Sequence, residues 1–187
     1  MRIARLLILS MIASSAAAAT VVPVREFRSV ELSNGGHVVV RHGAVQRVSV
    51  VSGDPRCTEI RVSGDRRLTI NHHGDCPRRD RHDLEIEVVT PRLTGVFVSN
   101  GGSMEVVGDF PAQASIEAGV EQGGTVDVRS IAADDADASV FSGGRIFLTA
   151  RKSLSASVRS GGIIHYWGDP HDVSRSIRDG GAVTRGD

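Results

Sequence analysis

The sequence carries carboxylates at alternating positions, and carboxylates are the side chains that a glycan-cleaving enzyme would use. Such an enzyme needs two carboxylates about 5–10 Å apart, or a basic residue beside a bound calcium ion. The outward-facing candidates are Glu105, Glu117 and Asp127, which stand among neutral neighbours and form no compact constellation with basic residues. The sequence also shows no nucleophile elbow, phosphate-binding loop or zinc motif. These observations predict a protein without catalytic residues, and the alternative is an enzyme that acts on polysaccharides.

Two polar clusters contain residue types that bind metal ions. The stretch 71–83 holds three histidines among aspartates, but it has neither an HExxH motif nor the spacing of a Cys/His finger. The carboxylates of Asp134, Asp135 and Asp137 could attract calcium, yet the glycine–aspartate spacing of calcium-binding β-rolls is missing. We therefore expect a solvated loop and a solvated turn with no metal and no cofactor, and the alternative is metal binding at either cluster.

The aromatic residues near the C-terminus are the strongest candidates for binding. The single tyrosine, Tyr166, and the single tryptophan, Trp167, are adjacent. Alternation directs Tyr166 inward, leaves Phe147, Ile163 and His165 on the outer face, and puts Trp167 at the end of a strand. Such a group stacks on sugar rings or anchors a partner protein. We predict that Phe147, Ile163, His165 and Trp167 bind a ligand. The alternative is that they cap the open end of the fold against edge-to-edge association.

The two cysteines, Cys57 and Cys76, are 19 residues apart. In an exported protein an even pair is most simply a disulfide. The alternative, a redox-active pair, would be expected to have CxxC spacing, which is absent. We predict a Cys57–Cys76 bridge.

A polar residue followed by two glycines recurs along the chain and is most regular from Asn100 onward. The last five glycine pairs begin 22, 20, 18 and 19 residues apart, and each is followed by a short alternating run such as residues 125–128. Glycine reaches positive φ without strain, so two in succession predict a tight corner. The predicted corner glycines are Gly35, Gly36, Gly101, Gly102, Gly123, Gly124, Gly143, Gly144, Gly161, Gly162, Gly180 and Gly181.

A period of 18–22 residues with strand-type alternation is typical of a solenoid. Alternation places one apolar face inward, and one repeat cannot bury that face by itself, whereas stacked repeats can. The inward residues expected are Met104, Val106, Val126, Val128, Ile146, Leu148, Ile164 and Tyr166. The sequence therefore predicts an all-β fold, a single-stranded β-helix of stacked short strands with Gly-Gly corners.

The first part of the mature chain is less regular than the repeats. Residues 27–40 contain one similar unit, and strands are expected at residues 48–51, 60–62, 68–70 and 84–89. The turns between them, such as residues 63–65, resemble hairpin or corner turns rather than Gly-Gly corners. We predict one domain over residues 20–187, with an irregular part at 27–92 and regular repeats at 93–187.

Residues 1–19 have the features of a secretory signal peptide. Arg2 and Arg5 precede a short apolar stretch, and the alanines at 16–19 supply a cleavage site. The chain carries 22 basic and 22 acidic residues, so its net charge of zero gives no basic field for nucleic acid. We predict export to the periplasm or the cell surface, with no transmembrane segment and no nucleic-acid partner.

The order of these motifs resembles a known family. A start at residues 27–30, a stretch at 93–99, serial Gly-Gly repeats, and a closing Trp-Gly-Asp-Pro at 167–170 are similar to the autotransporter adhesin head domain, also called the GIN domain. The resemblance covers roughly residues 27–183. It implies a β-helix of stacked short strands and an adhesin-like role at the bacterial surface.

The sequence thus predicts a non-enzymatic exported module that binds or supports the cell envelope. Its partner is expected to be an envelope protein or a glycan, because repetitive flat faces suit polymers and partner proteins. A further possibility is a structural repeat that forms homo-oligomers through its ends.

Overall fold

The computed structural model describes residues 19–73 and 83–187. The described chain is built from fifteen β-strands and one short 3-10 helix at Pro55–Cys57. The strands are β1 (Thr20–Val22), β2 (Ser29–Ser33), β3 (His37–His42), β4 (Arg47–Ser52), β5 (Thr58–Val62), β6 (Arg67–His72), β7 (Glu85–Thr90), β8 (Gly95–Ser99), β9 (Ser103–Val107), β10 (Gln113–Glu121), β11 (Thr125–Phe141), β12 (Arg145–Arg159), β13 (Ile163–Trp167), β14 (Asp172–Arg178) and β15 (Ala182–Arg185).

All described strands belong to one sheet. Its main path has eleven strands in the order β1-β4-β7-β3-β9-β11-β10-β8-β2-β6-β5, and β12 to β15 continue from β11. The two halves of this path meet in β11, whose first residues pair with β9 and whose last residues pair with β10. The sheet therefore curls back on itself into a nearly closed barrel that encloses a single hydrophobic core.

The all-β prediction is confirmed, but the prediction of a single-stranded β-helix is wrong. The sheet is mixed, because β1/β4, β4/β7 and β5/β6 are antiparallel pairs. β5 and β6 form an antiparallel hairpin, and β4 runs antiparallel to both β1 and β7, which a uniform winding would not produce. In addition, β11 has 17 residues and β12 has 15, so strands predicted as separate short segments are continuous and join the two halves of the barrel.

Within the repeats, strands one period apart pair in parallel and in register. Thr125 lies opposite Arg145, Arg145 opposite Ile163, and Ile163 opposite Ala182. Each turn hydrogen-bonds to the next, since the amide of Arg145 donates to the carbonyl of Gly124 at 3.0 Å, and four other pairs of turns repeat this bond. Register is fixed because a slip of one residue would turn every apolar side chain outward.

The buried residues of the repeats are those that the alternation predicts. All eight residues expected to face inward are buried, from Met104 to Tyr166. The strands predicted in the first part of the chain are also present, as β4 to β7. Asn71 and His72, by contrast, were expected in a solvated loop but form the end of β6, and the His72 side chain is buried.

Several predicted features fall outside the described residues. They include residues 1–18 of the signal peptide and residues 74–82 of the histidine-rich stretch. Cys57 is buried at the end of the 3-10 helix, while Cys76 lies outside the described residues.

The disulfide therefore stays a prediction. A bridge that closes a loop of this size stabilises a fold by roughly 3 kcal/mol. We expect mass spectrometry of the unreduced mature protein to find no alkylatable thiol. Two alkylated cysteines in the folded protein would contradict the bridge.

The two glycines of a turn differ in their surroundings. Both Gly143 and Gly144 have positive φ, at 86° and 107°. A Cβ on Gly143 would meet nothing within 4 Å, whereas a Cβ on Gly144 would lie 2.4 Å from Val120 Cγ1 and 3.0 Å from the Gly124 carbonyl oxygen. The second glycine is thus required by the contact between stacked turns as well as by its backbone conformation.

This difference gives a matched pair of variants. We expect Gly143→Ala to lower the free energy of unfolding by about 1–2 kcal/mol, the cost of positive φ for alanine. Gly144→Ala should lower it by about 2–5 kcal/mol, because overpacking against Val120 and the neighbouring turn adds about 1–3 kcal/mol. Urea unfolding measures both values, and equal losses would show that packing between the turns does not contribute.

Candidate functional site

On the outer face of the barrel, polar and aromatic side chains from four parallel strands form one row. The register places Asp127 on β11 opposite Phe147 on β12, Phe147 opposite His165 on β13, and His165 opposite Thr184 on β15. Successive strands are about 4.8 Å apart, so neighbouring side chains in this row are within contact distance. Alternation turns all four side chains away from the core.

Three aromatic rings meet on this row. The ring centroids of His165 and Trp167 are 4.5 Å apart with an interplanar angle of 60°, an edge-to-face arrangement. Phe147 lies 6.4 Å from each of the other two rings. These separations fall in the range in which aromatic pairs attract one another.

Arg129 covers two of the rings. Its guanidinium carbon is 4.9 Å from the Trp167 ring centroid and 5.6 Å from that of Phe147, both within cation–π range. Asp127 holds the guanidinium in place, because its carboxylate accepts hydrogen bonds from Arg129 Nε at 2.9 Å and Nη2 at 2.5 Å. This hydrogen-bonded carboxylate also raises the pKa of Arg129. We refer to Arg129, Phe147, His165 and Trp167 as the aromatic–arginine patch.

The end of the chain supports the same patch from another side. The Gly186 amide donates to the Tyr166 carbonyl at 2.8 Å, which lays the backbone of Gly186 against Trp167. A Cβ on Gly186 would lie only 2.4 Å from Trp167 Nε1, so a side chain there would displace the indole. His165 Nδ1 is 2.7 Å from Thr184 Oγ1, and this hydrogen bond fixes the imidazole.

The structure brings together three of the four predicted binding residues. Phe147, His165 and Trp167 belong to the patch. Ile163 lies two residues before His165 on β13, opposite Arg145, and is 40% exposed. Sequence reasoning missed Arg129. The signal was available, since Arg129 has the same alternation phase as Asp127, which precedes Phe147 by one period.

The three candidate carboxylates are not gathered at one place. Glu105 and Asp127 lie opposite one another on β9 and β11, while Glu117 lies on β10 in the other half of the barrel. Both oxygens of Asp127 accept hydrogen bonds from Arg129, so this carboxylate positions a guanidinium. The patch therefore presents aromatic faces and one cation at a surface, which is an arrangement for binding.

The acidic cluster at residues 134–137 was predicted to be a solvated turn, and this is wrong. These residues lie inside β11, next to a shift in its register against β12. Asp134 forms ion pairs with Lys152 at 2.8 Å and Arg151 at 3.4 Å, and Asp135 accepts a hydrogen bond from Ser153. The charge of Asp134 is thus balanced by neighbours on β12.

Two negative findings apply to the described part of the chain. Within residues 19–73 and 83–187, no group of three or more His, Cys, Asp or Glu side chains is arranged to hold a metal ion. In the same ranges, no helix has the length and apolar character needed to cross a membrane.

Comparison with known proteins confirms the predicted resemblance. Residues 112–170 match the family model described as "Putative auto-transporter adhesin, head GIN domain". The match spans β10 to β13, about a third of the chain, and includes the whole aromatic–arginine patch. No curated protein matches the chain.

Several solved structures are similar to this chain at low identity. A putative adhesin from Bacteroides fragilis is 17% identical over 92% of this chain and 98% of its own, with a TM-score of 0.48. A putative lipid binding protein from Parabacteroides distasonis is 15% identical over 91% and 96%, with a TM-score of 0.43. A putative cell adhesion protein from Clostridium sporogenes is 12% identical over 90% and 99%, with a TM-score of 0.45.

The ion pairs of Asp134 lead to a pH prediction. The hydrogen bond from Lys152 lowers the pKa of Asp134, with a smaller contribution from the charge of Arg151. Because the folded-state pKa is below the unfolded value, this carboxylate stabilises the fold above the unfolded pKa. That stabilisation is lost as the pH falls through the folded-state pKa.

We expect Lys152→Gln to raise the pKa of Asp134 toward that of an ordinary aspartate. Arg151→Gln should raise it less, since Arg151 contributes only its charge. Carboxyl-carbon NMR titration between about pH 2 and pH 6 measures both, around the ordinary value of about 3.9. An unchanged titration in Lys152→Gln would show that the ion pair does not form in solution.

Proposed function

We propose that this chain is an exported, non-enzymatic binding module of the adhesin-head type, and that it contacts its partner through the aromatic–arginine patch. The observation that carries the proposal is the arrangement of Phe147, His165 and Trp167 side by side on an outer face. The family match over residues 112–170 supports an adhesin-like role, and the signal-peptide features of residues 1–19 support export to the periplasm or the cell surface.

The geometry of the patch suits recognition. Binding sites gain affinity when aromatic side chains are held rigidly before the ligand arrives, since little conformational entropy is then lost. Arg129 is anchored by Asp127, and Trp167 is held between Arg129 and the backbone at Gly186. The partner that fits this surface offers an apolar or aromatic face with acceptor atoms at its rim, as an envelope protein or a glycan does.

A structural role at the sheet edge is the competing function, and one observation favours it. In the described chain, β14 pairs only with β12 and β15 only with β13, so both strands have an unpaired edge. Ile177 on β14 is 46% exposed. The same strand carries Arg175 and Arg178, and charged side chains on an edge oppose pairing with a second copy.

Trp167→Ala separates these two functions. If the patch binds, the variant should weaken binding on the order of 10-fold or more, as expected for a central aromatic anchor. Its melting temperature should fall by less than about 4 °C, the shift that about 1 kcal/mol causes in a chain of this size. A large fall in melting temperature would instead assign Trp167 to capping the sheet.

The single tryptophan makes the measurement direct, because intrinsic fluorescence then reports on the patch alone. The mature protein is titrated with glycans, peptidoglycan fragments and solubilised envelope proteins, with and without calcium, and affinities of the variants are compared by calorimetry. Val45→Ala is the control, since Val45 is 78% exposed and outside the patch. The absence of any saturable fluorescence change across the panel would contradict the proposal.

A further inference from the structure

A concave site lies on the other half of the barrel from the aromatic–arginine patch. It is a pocket of about 230 Å³ on the outer surface of β8, β10 and β11, and it shares no residue with the aromatic–arginine patch. The side chains and backbone that form its walls and floor include Arg67, Phe97, Gly119, Glu121, Ser139 and Phe141.

One wall of the pocket is a phenylalanine ring that lies flat against the sheet. Phe97 can do so because its neighbours on the same face, Gly95 and Gly119, have no side chains. A Cβ on either glycine would lie 2.8 Å from an atom of the ring. Glycine inside a strand weakens the sheet, and its presence commonly marks a site where another group approaches the backbone closely.

A cation holds this wall in position. The guanidinium carbon of Arg67 lies 4.5 Å from the Phe97 ring centroid, and Arg67 Nη1 is 3.1 Å from a carboxylate oxygen of Glu31. The wall is thus fixed by a cation–π contact and an ion pair before any ligand arrives.

The opposite wall is the exposed ring of Phe141. It stands on β11, two strands from Phe97 and two residues farther along the register, so the backbone positions of the two walls are about 12 Å apart. Phe141 is 41% exposed, and the guanidinium carbon of Arg159 is 5.7 Å from its ring centroid. Gly119 lies on the strand between the two walls and has no side chain, so backbone forms the floor of the pocket at this point.

Polar groups between the walls have unused hydrogen-bonding capacity. The carboxylate of Glu121 has no hydrogen bond or ion pair among the described residues, and a carboxylate accepts several hydrogen bonds. Ser139 is exposed at the floor, and Ser99 shares a hydrogen bond with Ser33 at its edge. The two carboxylates and two guanidinium groups at or beside the pocket balance in charge, which favours a neutral ligand.

A row of hydroxyls continues from this pocket along the sheet. The register places Ser139 on β11 opposite Ser157 on β12, and Ser157 opposite Ser176 on β14. All three serines are exposed, and they are spaced by one strand, about 4.8 Å. This spacing is comparable with the length of one pyranose ring, so a chain of sugars could meet a hydroxyl at each step.

From this arrangement we propose that the pocket binds a neutral sugar residue of a polysaccharide. The apolar C–H face of the sugar packs against Phe141, and its hydroxyl groups donate to Glu121 and exchange hydrogen bonds with Ser139. The following sugars lie along Ser157 and Ser176. Sites of this composition, with aromatic walls and few fixed polar groups, are typical of small-molecule recognition. The site is independent of the aromatic–arginine patch.

The test is an amide NMR titration of the full mature chain with neutral hexasaccharides built from glucose, mannose, galactose or N-acetylglucosamine. We expect at least one to shift the resonances of Gly119, Glu121 and Ser139 saturably. Phe141→Ala and Glu121→Gln should each weaken that binding by at least 10-fold. Glu105→Gln, on the other half of the barrel, should leave it unchanged.

The outcomes distinguish this site from the patch. Trp167 fluorescence should not respond to a sugar bound beside Phe141, so failure of either proposal leaves the other testable. Acidic and basic oligosaccharides serve as comparators, and tighter binding of either would overturn the assignment to a neutral sugar. No shift with any neutral hexasaccharide, or shifts that persist in Phe141→Ala, would overturn the site itself.

Discussion

The contact between successive Gly-Gly turns is the constraint on which the repeat region depends. The carbonyl of the second glycine in one turn accepts the first amide of the strand that follows the next turn, as from Gly124 to Arg145. This bond holds only when no Cβ stands at the second glycine of the neighbouring turn. The turns therefore stack directly, and the parallel strands on both sides of them inherit a common register.

A common register converts positions in the sequence into rows on the surface. Residues one period apart lie opposite one another, so side chains that are far apart in the sequence become neighbours across the strands. Asp127, Phe147, His165 and Thr184 form such a row on one half of the barrel, and Gly119, Ser139, Ser157 and Ser176 form one on the other. The two candidate sites have the same origin: each combines an aromatic group with a guanidinium that the register brings over it.

The first part of the chain follows different rules, and this explains why the predicted β-helix was wrong. In this part β5 and β6 form a hairpin, and β4 pairs antiparallel with the more distant β7. The pattern that predicted a solenoid is regular only in the repeats, with one similar unit at residues 27–40. The alternation in the sequence also could not show that β11 and β12 continue through both halves of the barrel. It is interrupted inside β11, where Val128 and Ile131 are both buried three residues apart, so the pattern predicts two separate strands.

The amino-acid sequence alone was enough to predict the buried residues of the repeats, the Gly-Gly turns and the outward position of Phe147 and His165. These properties depend on the side-chain period of a strand and on the conformational freedom of glycine, both of which are local. Only the tertiary structure decided that Arg129 covers Trp167, that Ile163 stands apart, and that Phe97 lies down between two glycines. Those contacts join residues on different strands, and their geometry follows from the register and from the curl of the whole sheet, which no single segment of the chain specifies.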